Sequence, residues 1–562
     1  MKVALLTVPG KFPTLLHDPG VLWSTASRHP GAEVTRLSAN FEWWRLLCGA
    51  TPAGDALEAF RSPEVFSSRR RYFAAVAELT GFLAAYNAGQ TELSVDLFRG
   101  PAVRGLNYDD SGALAEYARR DTALSRGVAA ALDRLDLSAD VFLFSVTFPQ
   151  DLLTAMVAAR LIRERRGADP YLCLADHGYE NFSLHVHAPA LEDSGHLAGF
   201  FDGIVLSKQE RRTVLAHVLE RLSAGVRLEG FLHAEGLGLP KDAGFAAYPY
   251  VPSPPLETFA PKPVLWTRVS ERRCYWSRCS FCVQNAKYDN PQPPSLGEVE
   301  GSLDKLSALA AAGYEYLVFS DEALSPSVLK ALSEGILRRG LKLKWSCRCR
   351  IETSFTPEIL ARMREAGCYE ILFGLESASA RMLKLMEKHD KGLDLDAVRA
   401  LWRRCDAAGI GVHITMIAGF PGDTPEDSAL TADFVSEALR GVRHATFKLN
   451  YFSLFPDTPV FNAPERFGVL LGEGGGDMPM SYPYALTPEL AAPMRAVEDL
   501  YPDLVERLYG RLGWTEFLRR HGGGEAVDKA LHLYFHTGHG TFFKTDAREV
   551  FGDPSAPASG AA

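Results

Sequence analysis

Between Val264 and Tyr451 the chain repeats one pattern, a short run of β-branched and aromatic residues followed by a stretch with helical spacing of its apolar positions. Strands are expected at Val264–Val269, Tyr316–Phe319, Leu343–Trp345, Glu370–Phe373, Val412–Ile417 and Thr446–Tyr451, with helices such as Ser302–Ala312 and Leu360–Ala366 between them. Gly313, Gly367 and Gly409 stand where a left-handed residue closes a helix. Strands joined through helices in this way lie parallel. Six successive units predict a full or partial (β/α) barrel, and in such folds the chemistry sits at the C-terminal ends of the strands.

The region before it also alternates. Candidate strands are Val3–Val8, Val34–Leu37, Val141–Val146, Tyr171–Ala175 and Gly203–Leu206. The helix expected over Leu152 to Arg166 has one apolar face, with Leu153, Met156, Val157 and Leu161 on it, and a basic end that suits the helix dipole. The prediction is an α/β chain that opens with a doubly wound, Rossmann-like domain over 1–245. Phe41 to Arg120 fits this least and reads as a helical insertion. Six prolines between Tyr248 and Pro263 mark an extended linker, 246–263. The barrel then spans 264–465, a mostly helical C-terminal domain 466–551, and a disordered tail 552–562. Within the C-terminal domain, Gly472–Asp477 is a glycine-rich loop and Pro488 to Leu518 a helical stretch.

With 47% apolar and 23% charged residues, the 562-residue chain has the composition of a globular protein of several domains. It contains no apolar run of membrane-spanning length, so no membrane partner is expected. Met1 to Pro9 reads as a first strand rather than a signal peptide, which makes the cytoplasm the expected location. The net charge is −9 and the basic run Arg69-Arg70-Arg71 is isolated, so no nucleic-acid partner is expected.

Three of the nine cysteines, Cys274, Cys279 and Cys282, fall within nine residues just after the first barrel strand. A loop with Cys-x4-Cys-x2-Cys spacing can turn three thiolates toward one point. Such soft ligands suit an iron–sulfur cluster or zinc. Three ligands leave one iron of a four-iron cluster open. A structural zinc site needs a fourth ligand, and no His or Cys follows nearby.

The segment resembles the signature of the radical S-adenosylmethionine (SAM) superfamily, in which three cysteines hold a 4Fe–4S cluster. Phe281 stands at the aromatic position before the last cysteine. The first gap is four residues, where the family usually has three. Further matches follow in order. Ser320-Asp321-Glu322 occupies the place of Gly-Gly-Glu, so only Glu322 carries over as a contact to the SAM amino group. Arg350 matches the arginine of a Trp…Arg pattern that begins at Trp345. Gly374, Glu376 and Ser377 match a Gly-x-Glu-Ser turn that contacts SAM, and Gly419 opens Gly-Phe-Pro-Gly-Asp-Thr, which matches a similar turn. Taken singly, Glu376 and Arg350 also read as partners of a barrel salt bridge. The resemblance covers Val264 to Phe461. It implies SAM bound on the open iron, reductive cleavage of its sulfonium bond to a 5′-deoxyadenosyl radical, and hydrogen abstraction from an unactivated carbon.

An α/β domain ahead of such a barrel resembles the branch that binds cobalamin. Ser145 and Thr147 stand where that branch contacts the cobalamin tail. Ala175-Asp176-His177-Gly178 departs from the usual Gly-Gly, and no Asp-x-His-x-x-Gly motif occurs. The resemblance implies a cobalamin-dependent C-methyltransferase acting on a small-molecule or peptide substrate, with flavodoxin or ferredoxin as electron donor. A non-methylating radical SAM cyclase or rearrangement enzyme, with or without cobalamin, is the alternative, and a non-catalytic protein with a structural metal site a more distant one. A methylthiotransferase is disfavoured because the N-terminal domain lacks that family's second cysteine triad. His536 and His539, in a glycine-containing turn, are weak candidates for metal or substrate contact. Tyr451, Asp457 and Thr458, after the last barrel strand, are placed near substrate by barrel geometry alone.

Overall fold

Two parallel sheets organise the chain. The structure is a computed structural model that describes residues 1–511 apart from 67–68, 98, 147–148, 177–183, 207–209, 241–249, 271–273, 284–295, 390–391 and 444. Its first strands are β1 (Lys2–Thr7), β2 (Leu16–His17), β3 (Glu33–Ser38), a hairpin of β4 (Leu93–Asp96) and β5 (Gly100–Val103), then β6 (Val141–Val146), β7 (Tyr171–Asp176), β8 (Gly203–Val205) and β9 (Gly230–Phe231). The first sheet has the order β3-β1-β6-β7-β8-β9, parallel throughout. Alternation along each strand buries both faces. Ala4, Leu6, Phe142 and Phe144 pack with Trp44, Leu152 and Met156 on one side, while Val3, Leu5, Val141 and Leu143 pack with Leu22, Trp23, Val214 and Val218 on the other. This is the expected doubly wound arrangement. The strand order reverses between β1 and β6, so a crevice opens at their C-terminal ends.

The insertion corrects the sequence reading in part. It contains helices Ala39–Cys48, Pro52–Ala59, Arg69–Ala88 and Ser111–Ala118, but also the β4–β5 hairpin. Four residues of alternating burial leave little periodic signal. Gly100, at the end of that hairpin turn, has φ of 76° and packs on the backbone of Gly10, where an added Cβ would lie 2.2 Å from a carbonyl carbon.

The second sheet comprises β10 (Val264–Thr267), β11 (Tyr316–Phe319), β12 (Lys344–Arg350), β13 (Cys368–Glu376), β14 (Gly411–Ala418) and β15 (Ala445–Tyr451). Its order is β15-β14-β13-β12-β11-β10-β2, and its two outer strands do not pair, so the barrel is partial. Its seventh strand, β2, comes from before the proline-rich segment and pairs parallel with β10 through Leu16 and His17. Two residues carry no readable pattern, which is why the sequence assigned them to the first domain. Trp345, Cys347, Cys349, Ile371, Phe373, Ile414 and Met416 face the helices, packed with Leu329, Leu360, Leu401 and Trp402. The intervening residues of β12, Ser346, Arg348 and Arg350, point to the opposite, inner face. β12 runs five residues beyond the expected Trp345, so Arg350 is its last residue, just as Glu376 is the last of β13.

After β15 come a hairpin of β16 (Val469–Leu471) and β17 (Tyr484–Leu486) and the helix Pro488–Arg511. That helix packs on Pro425–Ala438 and buries Val497, Leu504 and Leu508. The Gly472–Asp477 loop docks on the insertion: Ser111 N donates to Asp477 Oδ1 (2.8 Å) and Met478 N to Asp109 O (2.9 Å). The linker is extended but anchored, with Phe259 stacked on Phe12 and Phe41 at centroid distances of 5.5 and 4.6 Å. The expected helix end near Leu518 and the tail lie outside the described residues. Among the described residues no helix is long and apolar enough to cross a membrane.

Candidate functional site

The cysteine loop leaves the C-terminal end of β10, and Asp321, at the end of β11, holds its root. Its carboxylate accepts from Val269 N at 2.8 Å and Ser270 N at 2.7 Å. Burial pushes this carboxyl above its ordinary range despite Arg268 and the two amides. Cys279 is buried, while Cys274 and Cys282 are half-buried. The loop turns twice. Ser277 is left-handed at φ 44° and its hydroxyl donates to Cys274 O, and Cys282 N donates to Cys279 O at 3.1 Å. Its far side is fastened to the end of helix Ala380–Leu385. Trp276 Nε1 donates to Glu387 O (2.8 Å), Ser280 N to Met386 O (2.9 Å) and Ser280 Oγ to Leu385 O (3.2 Å). Phe281 packs against a cluster that includes Met382, Met386, Phe420 and Phe452, so its role in this structure is to seat the loop.

The ends of β12 and β13 meet the same segment. Glu376 is buried in a left-handed conformation, φ 63°, and its Oε1 lies 3.2 Å from Lys388 Nζ. A Cβ on Gly374 would stand 2.4 Å from that carboxylate and 2.8 Å from the ammonium, so the missing side chain makes room for the pair. Arg350 donates through Nη2 to Lys388 O (3.0 Å), and its guanidinium lies 3.9 Å from the Trp276 ring centroid. Arg350 Nη1 is buried without a hydrogen-bond partner. Burial raises the Cys279 thiol above its ordinary range, against the pull of Lys388 and Arg350. Burial works against the Lys388 ammonium, yet Glu376 and the neighbouring Cys279 hold its pKa above the ordinary value.

The remaining expected contacts divide. Ser377 Oγ lies 3.1 Å from Thr431 Oγ1 and accepts from Ser379 N, so it anchors the turn. Gly419 has φ of 74°, donates its N–H to Asp423 Oδ2 at 2.8 Å, and leaves space that the Tyr451 ring fills. Glu322 sits at 3.5 Å from Arg348, which lies over the Trp266 ring. Thr458 caps the short helix Pro459–Asn462, and Asp457 before it has φ of 64°. Ser145 is in the first sheet and does not join this group. With Gly10, Asp151 and His17 it lines the crevice between the ends of the two sheets, a cavity of about 100 Å³. Thr147, His177, Gly178, His536 and His539 lie outside the described residues.

Sequence reasoning missed Lys388, Trp276, Asp321 and Asp423. Asp321 and Asp423 stand inside quoted motifs and could have been found there. Lys388 follows the Gly-x-Glu-Ser turn by eleven residues and had no signal of its own.

The donor set fits an anionic cluster. Two buried cations face one buried carboxylate beside Cys279, and Arg350 keeps an unused buried N–H donor. Among the described residues no three His, Cys, Asp or Glu side chains close on a point that one ion could fill. The crevice beside Ser145 lies at the C-terminal ends of β1 and β6, where the strand order reverses and doubly wound folds place their ligands.

Residues 272–435 match the family model of the Radical SAM superfamily. A hopanoid C-2 methylase from Rhodopseudomonas palustris is 27% identical over 199 residues, 34% of this chain and 37% of the methylase. A tRNA-2-methylthio-N(6)-dimethylallyladenosine synthase from Prosthecochloris aestuarii is 28% identical over 196 residues, 32% of this chain and 41% of the synthase. The match thus spans well under half the length of these curated relatives. The solved structure of the radical S-adenosylmethionine methyltransferase TsrM from Kitasatospora setae, with cobalamin and a [4Fe-4S] cluster bound, superposes with a TM-score of 0.51 at 15% identity. That superposition covers 96% of this chain and 99% of TsrM, so the two share a fold over nearly their whole lengths.

Proposed function

We propose that this protein is a radical SAM enzyme that transfers a methyl group to an unactivated carbon of a small molecule or peptide. The observation that carries the reading is the three-cysteine loop held against the buried Arg350–Glu376–Lys388 group. Cys274, Cys279 and Cys282 are the ligands of a 4Fe–4S cluster, and Glu322, Arg350, Gly374, Glu376, Ser377 and Gly419 form the surroundings of SAM. When bound, the cluster supplies the electron that cleaves SAM to a carbon radical. The chain itself holds the thiolates, balances their charge with Arg350 and Lys388, and keeps the loop away from water through Phe281 and its apolar neighbours. The N-terminal domain, 1–245, carries cobalamin at the crevice of β1 and β6, with Ser145 and Thr147 toward its tail; the shared fold with TsrM supports this. The Ala175-Asp176-His177 departure favours a second reading, radical chemistry without cobalamin. A reduced flavodoxin or ferredoxin supplies the electron, and the protein works in the cytoplasm.

The test is anaerobic reconstitution of the full chain with iron, sulfide and hydroxocobalamin, followed by gel filtration and product analysis with SAM and a reductant. Retained iron and cobalamin, with S-adenosylhomocysteine and 5′-deoxyadenosine formed, are expected. Iron without cobalamin, and 5′-deoxyadenosine alone, would decide for the second reading. In the triple variant Cys274→Ala, Cys279→Ala, Cys282→Ala, iron and SAM cleavage are lost while the fold, read by circular dichroism, is kept. Unfolding of that variant would instead make the cysteines structural.

A further inference from the structure

The cysteine loop does not rest on its own strand alone; it is fastened to the turn 385–388 by Trp276 and Ser280. Lys388 closes that turn. Its side chain is only 9% exposed, and it lies 3.2 Å from the equally buried Glu376. Gly374 leaves the space the pair occupies, since any Cβ there would stand 2.8 Å from the ammonium. Arg350 reaches the Lys388 carbonyl and stacks on Trp276 of the loop. Two buried cations are therefore balanced by one carboxylate, in a space that Cys279 shares.

We propose that Lys388 is a positioning residue of the cluster centre: its ammonium, held by Glu376 in the turn to which the cysteine loop is fastened, raises the reduction potential of the cluster. The inference rests on the cluster assignment above. Reduction adds a negative charge to an already anionic group. A fixed positive charge in a buried, low-dielectric setting favours that step, and removing it disfavours it. Glu376 acts with the opposite sign, because it offsets the same ammonium.

The test uses the reconstituted full chain without SAM, an EPR-monitored redox titration, and iron content, for wild type, Lys388→Met, Lys388→Arg and Glu376→Gln. The midpoint is expected to move to more negative values in Lys388→Met, to stay close to wild type in Lys388→Arg, and to move to more positive values in Glu376→Gln. A lysine that only packs the loop would lower iron content without producing opposite shifts. If Lys388→Met takes up no iron, Glu376→Gln decides: a positive shift supports the proposal, and an unmoved midpoint overturns it. Unmoved midpoints across variants that hold a full cluster overturn this inference alone. A wild-type chain that forms no cluster overturns the cluster assignment, and this inference with it.

Discussion

At the scale of residues, the site is built from side chains that hold backbone in place. Asp321 satisfies two amides at the root of the cysteine loop with one buried carboxylate. Asp423 does the same after β14, accepting from Gly419 N, Thr424 N and Ser428 Oγ. Losing such an acceptor strands buried donors, at a cost of about 1–3 kcal/mol. Asp321→Ala is therefore expected to loosen the loop and to retain less iron after desalting, with Asp321→Asn in between. Equal iron retention in all three proteins would show that the loop is held from its far side alone.

At the scale of elements, the second sheet reuses one device. Helices Pro326–Arg338, Pro357–Glu365 and Pro425–Ala438 each begin with a Ser or Thr cap followed by proline: Ser325, Thr356 and Thr424 accept from Val328 N, Ile359 N and Asp427 N. The hydroxyl satisfies an end amide, and proline has no amide to satisfy. The other helix end turns back through glycine. Gly367, between helix Pro357–Glu365 and β13, has φ of 95°, and a Cβ there would lie 1.9 Å from Leu343 O. Gly367→Ala is expected to cost roughly 1–3 kcal/mol, read as a lower thermal midpoint. An unchanged midpoint would mean that this connection relaxes freely.

At the scale of the whole molecule, a buried polar knot joins the two halves. Asp18, just after β2, pairs with Lys305 at 2.9 Å, both 6% exposed, and also accepts from Thr267 of β10 and Tyr250 of the linker. Burial opposes the Asp18 charge, but Lys305, Thr267 and the Gly20 amide outweigh it and hold its pKa below the ordinary range. Breaking one side of such a pair leaves an uncompensated charge and costs about 3–5 kcal/mol. Asp18→Asn should lower the thermal midpoint, and adding Lys305→Met should recover much of the loss. Because the folded pKa is depressed, this stabilisation is complete above about pH 4 and is lost as pH falls through the lower value. The gap between wild type and Asp18→Asn should close in acid; a gap that stays constant would show that the carboxylate charge contributes nothing.

Local periodicity was enough to read the α/β class and nearly every strand of the two sheets, and the cysteine spacing pointed to a soft-metal centre. These follow from short-range physics, because alternation, helix spacing and ligand chemistry act within a few residues; Arg350, Glu376 and Gly419 were singled out by the family resemblance instead, and the structure places them at or just after strand ends. Tertiary structure alone decided what touches what. It brought β2 into the second sheet, set Lys388 against Glu376 and Cys279, turned Ser377 to Thr431, and left Ser145 in a different crevice. Those pairings join residues 12 to 249 positions apart, and they depend on how faces pack and which buried charges find partners, which no local pattern encodes.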